Sequence, residues 1–173
     1  MTWPFPKAAR WSALAALLAL AGCAIAPGPD MADGPASVHR SMAAADARLD
    51  VAAAREMISQ YRRDHGLGPV ALDPNLQRAA LAQSEAMAQA GLLSHEVRGP
   101  LGQRLDAAGA SNGLAVENVS AGRRTLAEAL NAWRASAGHN KNLLEKGVRR
   151  MGIATAYAPD TRYKVFWTLV MTD

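Results

Sequence analysis

Residues 151–171 read Met151-Gly152-Ile153-Ala154-Thr155-Ala156-Tyr157, then Ala158-Pro159-Asp160-Thr161, then, after Arg162, Tyr163-Lys164-Val165-Phe166-Trp167-Thr168-Leu169-Val170-Met171. Two runs rich in apolar, β-branched and aromatic residues flank a Pro-Asp turn, which is the pattern of a β-hairpin. Upstream, 115–119 supplies a third candidate strand. Before it the apolar spacing turns helical. Leu49, Ala53, Met57 or Ile58, and Tyr61 predict a helix over 48–64, ended by His65-Gly66. Asp73-Pro74 reads as an N-cap with proline at the first helical position, opening a helix through Leu76, Ala80, Met87 and Ala90 to Gly91. Shorter helices fit 101–108, stopped by Gly109, and 125–135, where Thr125 and Glu128 have the spacing of a capping box. Helices first, strands last and hairpin pairing argue for an α+β fold over a parallel α/β sheet. The chain has no internal repeat.

The first segment carries Lys7 and Arg10, then an apolar run over 11–22 that falls short of the ~20 residues a membrane span needs. It reads as an export signal, 1–22, ending Leu20-Ala21-Gly22-Cys23. That ending looks like the bacterial lipobox, in which the cysteine is acylated, palmitate among its chains, and becomes the mature N-terminus. Cys23 is the chain's one cysteine, so the expectation is a lipoprotein held in the membrane by Cys23 and a folded part without an internal disulfide. Ala24 rather than Asp follows Cys23, which in a Gram-negative cell predicts the periplasmic face of the outer membrane. Residues 23–46 are rich in Ala, Pro, Gly and Ser and read as a flexible tether. The remaining 47–173 is a normal size for one domain.

The chain has 19 Lys and Arg against 15 Asp and Glu; loss of Lys7 and Arg10 with the leader leaves 17 basic residues and a net charge of +2. The pairs Arg62-Arg63, Arg123-Arg124 and Arg149-Arg150 are scattered and lack interleaved aromatics, so they read as solvated faces and no nucleic-acid partner is expected.

Four short pieces carry the chemistry: Ser94-His95, Glu117-Asn118, Trp133, and Ser136-Ala137-Gly138-His139-Asn140-Lys141-Asn142-Leu143-Leu144. In this order, after the two long helices, they resemble the bacterial CAP domain, also called the SCP domain, from about 49 to 171. That family joins cysteine-rich secretory proteins, antigen 5 and plant pathogenesis-related proteins. The resemblance implies an α-β-α sandwich with a small antiparallel sheet between helices, and a cleft lined by two histidines and two glutamates. His95, Glu117 and His139 fall on three of those positions. The fourth aligns near Ser136, where no carboxylate stands.

Two imidazoles and a carboxylate are a recurrent ligand set for Zn²⁺ or another divalent metal, with one position left open. The plainer reading of a single histidine is a hydrogen-bonded structural residue. Glu117 likewise reads either as a metal ligand or as the group that holds His95 or a backbone amide. His139 is expected in a loop after the fourth helix, and Asn118 and Trp133 as scaffold. Glu96 beside His95 does not make a zincin helix, because Gly99 stands where the second histidine is needed. Gly109-Ala110-Ser111-Asn112-Gly113 matches a nucleophile-elbow pattern by letter, but it follows a predicted helix, not a strand. The expected function is a membrane-tethered envelope module whose His/Glu cleft binds a small molecule, a lipid, a peptidoglycan fragment or a metal. The alternative is a metal-dependent hydrolase of peptide or cell-wall bonds.

Overall fold

The computed structural model describes residues 1–2, 36–110 and 113–173. The chain divides into units Met1–Asp30 and Met31–Asp173, and every element named below belongs to the second. Cys23 and nearly all of the expected leader lie outside the described residues, as does the first part of the tether.

Among the described residues five α-helices and four strands follow one another: α1 (Val51–Arg63), β1 (Ala71–Leu72), α2 (Pro74–Ala90), α3 (Leu101–Ala107), β2 (Ala115–Ala121), α4 (Leu126–Ala135), α5 (Ala137–Leu143), β3 (Arg150–Ala158) and β4 (Lys164–Thr172). The sheet order is β1-β3-β4-β2. The expected hairpin is β3–β4, paired from Arg150↔Thr172 to Ala158↔Lys164, and β2 lies antiparallel on the other side of β4. The sheet is not wholly antiparallel as expected: β1, two residues long, pairs parallel to β3.

Strand β4 is central and buried on both faces, which is why its sequence is a continuous apolar run rather than an alternation. Period-two geometry divides it. Val165, Trp167, Leu169 and Met171 join the core formed with Ile58 of α1, Leu130 and Trp133 of α4 and Leu143 of α5. Phe166 and Val170 face the other way, toward Met87 and Leu76 of α2. The fold is therefore the expected α-β-α sandwich.

Strand β3 shows why α2 sits where it does. Its large residues Met151 and Ile153 point into the first core, while Ala154 packs on the α2 side. At Gly152 the two backbones meet: a Cβ there would fall on the Leu76 carbonyl carbon and the Gln77 amide nitrogen. Close approach lets the Gln77 side chain serve as a substitute strand neighbour, its Nε2 donating to Ile153 O at 2.6 Å and its Oε1 accepting from Ile153 N at 3.1 Å. Ser84 Oγ adds a bond to Thr168 Oγ1 at 2.9 Å within the same interface.

The helix boundaries follow their caps. Asp73 accepts from the amides of Asn75 and Leu76, and Gly91 closes α2 in the left-handed region at φ 62°. Thr125 caps α4 by accepting from Glu128 N, while the Glu128 carboxylate accepts from Arg124 N, one residue before the capping-box position. Helix α1 starts at its cap Asp50, two residues later than the spacing predicts from Arg48.

Two further readings change. Part of 36–46, expected as tether, is anchored on the domain at Ser37 and Met42. A 3₁₀ turn at Ser37–His39 ties in through Ser37 Oγ donating to Asp50 at 2.8 Å, Met42 is buried, and Met42 N donates to Arg124 O at 2.7 Å. Arg62, expected on a solvated face, is fully buried, donating to the carbonyls of Gly68, Leu143, Glu145 and Val148. It gathers the C-terminal end of α5 and the loop behind it, a task a long five-donor cation can perform.

Gly152→Ala should lower stability by about 2–3 kcal/mol, since both surfaces that must yield are backbone. Gly102→Ala, in open space on α3, should instead raise it by up to about 1 kcal/mol. Urea midpoints measure both; a Gly152→Ala midpoint equal to wild type would refute the close contact.

Candidate functional site

Helix α2 ends in Gly91, and the following loop carries Ser94 and His95. Three bonds shape it: Gln83 Nε2 donates to Ser94 O at 2.8 Å, Glu96 N to Ser94 Oγ at 3.0 Å, and Gly99 N to Glu96 O at 2.9 Å. Arg104 of α3 then holds the loop from beneath, Nη2 donating to His95 O at 2.9 Å and Nε to Gly99 O at 3.1 Å.

The same guanidinium meets Glu117 of β2 in a two-pronged pair, Nη1 to Oε2 at 2.7 Å and Nη2 to Oε1 at 3.0 Å. Glu117 Oε1 also contacts His95 Nδ1 at 2.8 Å. The Arg104 and Glu117 side chains are 6% and 3% exposed, whereas that of His95 is 54% exposed. A dry ion pair thus supports an imidazole that reaches water. A carboxylate paired with a guanidinium has no proton to give, so His95 Nδ1 is the donor in this contact. With Nδ1 engaged by Glu117, Nε2 is the ring nitrogen with no hydrogen-bond partner among the described residues.

His139 does not lie in a loop as expected; it sits half-buried in α5. The α5 sequence Ala-Gly-His-Asn-Lys-Asn-Leu has weak helix propensity, so the helix depends on its neighbours. Asn118 Nδ2 donates to His139 O at 3.0 Å, and Asn142 Nδ2 donates to Asn118 Oδ1 at 2.9 Å and Glu117 O at 3.0 Å. Tyr61 Oη donates to Asn140 Oδ1 at 2.8 Å, and Arg62 takes Leu143 O. Burial, and secondly repulsion from the His95 ring when that ring is protonated, hold the His139 imidazole below its ordinary value of 6.5, which favours its neutral form at pH 7. The two histidines are therefore within electrostatic reach of each other.

Strand β2 organises both. It is an edge strand, and its outward carbonyls at Glu117 and Val119 receive Asn142 Nδ2 and, at 3.4 Å, Trp133 Nε1. Asn118 and Trp133 are scaffold, as expected. The cleft beside this strand has a volume of about 360 Å³. His95, Glu96 and Asn142 give it polar walls, and Pro100, Leu101 and Val116 an apolar one.

His95 and Glu117 are thus joined directly, and His139 through Asn118 and the field of His95. Of the two readings for Glu117, the geometry matches the one in which it holds His95: both its oxygens are taken by N–H donors. It does not fit as a third zinc ligand in this arrangement, and among the described residues no group of three His, Cys, Asp or Glu side chains is placed to hold an ion. His95 Nε2 and the His139 ring have no hydrogen-bond partners among the described residues. Ser136 closes α4 and opens α5 without supplying a carboxylate. Ser111 and Asn112 lie outside the described residues, but α3 before them and β2 after them reverse the strand-to-helix order of a nucleophile elbow. Arg104, and the bonds of Asn142, emerge from the structure. Nothing local distinguishes Arg104 from an exposed helical arginine, whereas Asn142 lies within the 136–144 run.

A model of the CAP, or cysteine-rich secretory protein, family matches residues 55–171. The uncharacterized protein YkwD of Bacillus subtilis is 30% identical over 100 residues, which are 57% of this chain and 39% of that one. An extracellular SCP-domain protein from Bacillus anthracis has a similar structure, with TM-score 0.61 and 28% identity over 69% of this chain and 39% of its own. An outer surface protein of Borrelia burgdorferi shares the fold at TM-score 0.64 and 20% identity, over 70% of this chain and 90% of that one. The chain spans about two-fifths of the length of the two Bacillus relatives. By its sequence match over 55–171, its sandwich and its paired histidines, the chain belongs to the cysteine-rich secretory protein (CAP) family.

Proposed function

We propose that this chain is an exported, membrane-tethered binding module whose cleft takes a small polar ligand through the imidazole lone pairs of His95 and His139. The observation that carries the reading is the buried Arg104–Glu117–His95 chain: it keeps the Nδ1 proton engaged and leaves Nε2 free to accept. Depressed basicity keeps His139 unprotonated as well. Such a pair recognises a hydrogen-bond donor, and the apolar wall of Pro100, Leu101 and Val116 suits a ligand with a hydrocarbon or sugar body, as envelope lipids and peptidoglycan fragments have.

A divalent cation is the second reading, favoured by the same neutral imidazoles, with the remaining coordination supplied by water or ligand. The hydrolase alternative has less support. Among the described residues no hydroxyl or thiol is bonded to His95 Nε2, and Glu117 is committed to Arg104.

Zn²⁺ tests whether the two lone pairs converge. In calorimetric titrations of the chain from Ala24 onward, Zn²⁺ should bind one site, and His95→Ala and His139→Ala should each abolish it. Mg²⁺, which prefers oxygen ligands, should not bind. Protons compete for the same lone pairs. Affinity should therefore be full at pH 7 and fall as pH drops through the depressed His139 value, below 6.5. Identical heats for wild type and both variants would count against the reading.

Membrane tethering rests on Leu20-Ala21-Gly22-Cys23 and, more distantly, on relatives named as extracellular and outer surface proteins. With Ala24 next, the periplasmic face of the outer membrane is the proposed location in a Gram-negative host. Radiolabelled palmitate should enter the wild-type protein, and Cys23→Ser should abolish the label and release the protein from membranes. Equal labelling of the two would defeat the anchor.

A further inference from the structure

Arg104 has a second face. A cleft of about 400 Å³, larger than the one at His95, opens between α2 and α3 with Arg104 as part of its wall. Arg78 of α2 and Arg98 of the His95 loop stand in its wall, Gln83 and Gln103 add amides, and four alanines complete the lining. No carboxylate lines it. Arg104 is neutralised by Glu117, but the other two cations are not. Arg78 Nη2 donates only to the neutral oxygens of Asn75 Oδ1, at 2.6 Å, and Ala108 O, at 3.2 Å, and Arg98 has no hydrogen bond or ion pair with a described residue.

Gln83 provides an independent observation. It is fully buried, its Nε2 is committed to Ser94 O, and its Oε1 has no hydrogen-bond partner. Buried acceptors in folded proteins are nearly always paired, and Gln83 is one of the residues lining the cationic cleft, so the cleft is the side from which a missing donor can come.

We infer that the α2–α3 cleft is a second binding site, for a small carboxylate that also carries an amide N–H or hydroxyl. Its acidic group sits between Arg78 and Arg98, and its donor satisfies Gln83 Oε1. The volume suits a molecule of amino-sugar or dipeptide size. Guanidinium forks favour planar carboxylates, and the paired donor and acceptor requirements separate such a ligand from a bare anion. This site is distinct from the imidazole cleft, although Arg104 stands in the wall of both.

The test uses N-acetylmuramic acid, which carries both groups, beside N-acetylglucosamine, which lacks the carboxylate, and inorganic phosphate, which lacks the amide. Titrations followed by amide NMR of the chain from Ala24 onward should show saturable shifts around Arg78, Gln83 and Arg98 with N-acetylmuramic acid. Affinities for the other two should be at least tenfold weaker. Arg78→Ala with Arg98→Ala, both exposed and so compatible with folding, should weaken binding at least tenfold. The same titration should leave the amide of His139 unshifted, which separates this site from the imidazole cleft. No saturable shift, equal binding of N-acetylglucosamine or phosphate, an unaffected double variant, or shifts centred on His139 would each overturn the inference.

Discussion

A buried ion pair, Arg104 with Glu117, is the constraint on which the site depends. Removing two charges from water is costly, and their attraction offsets that cost only when the remaining donors and acceptors are also used. Here they are. Arg104 spends its other donors on the carbonyls of His95 and Gly99, and Glu117 receives His95 Nδ1. Helix α3, the loop after α2 and strand β2 are thereby tied at one point. What stands above it is an exposed imidazole with one nitrogen assigned and the other open.

Strand β2 extends that order to the second histidine. As an edge strand it offers unpaired backbone groups, and α4 and α5 cover them with Trp133 and Asn142. Three consecutive residues do different work: Glu117 holds His95, Asn118 holds the backbone of His139, and Val119 anchors Trp133. The short helix α5, weak on its own, is kept by these bonds and by Arg62 at its far end. The rigid sandwich below, set by the contact of Gly152 with α2, gives both loops a fixed base.

What could be read from the sequence was what is encoded locally. The hairpin, the Asp73-Pro74 and Thr125 starts and the Gly91 stop each depend on a few neighbouring residues, and each is present. The 136–144 run, Glu117-Asn118 and Ser94-His95 were recognisable as motifs, and the family match bears out the resemblance. What depends on distant partners was not legible. Strand β1 is too short for any periodicity, α5 has Gly138, Asn140 and Asn142 where helices prefer other residues, and Met42 is buried only because Arg124 and the core receive its segment. Arg62 and Arg104 look like other arginines until the carbonyls and the carboxylate around them are seen. Glu117 had two readings in the sequence, and the guanidinium beside it distinguishes them.

Ligand recognition at the cleft turns on which nitrogen of His95 carries the proton. Nitrogen-15 NMR of the imidazole at pH 8, in the wild type and in Glu117→Gln, measures it directly. The buried chain predicts protonated Nδ1 and bare Nε2 in the wild type, with that preference lost when Glu117 becomes neutral. An Nε2-protonated His95 in the wild type, unchanged by Glu117→Gln, would contradict the account.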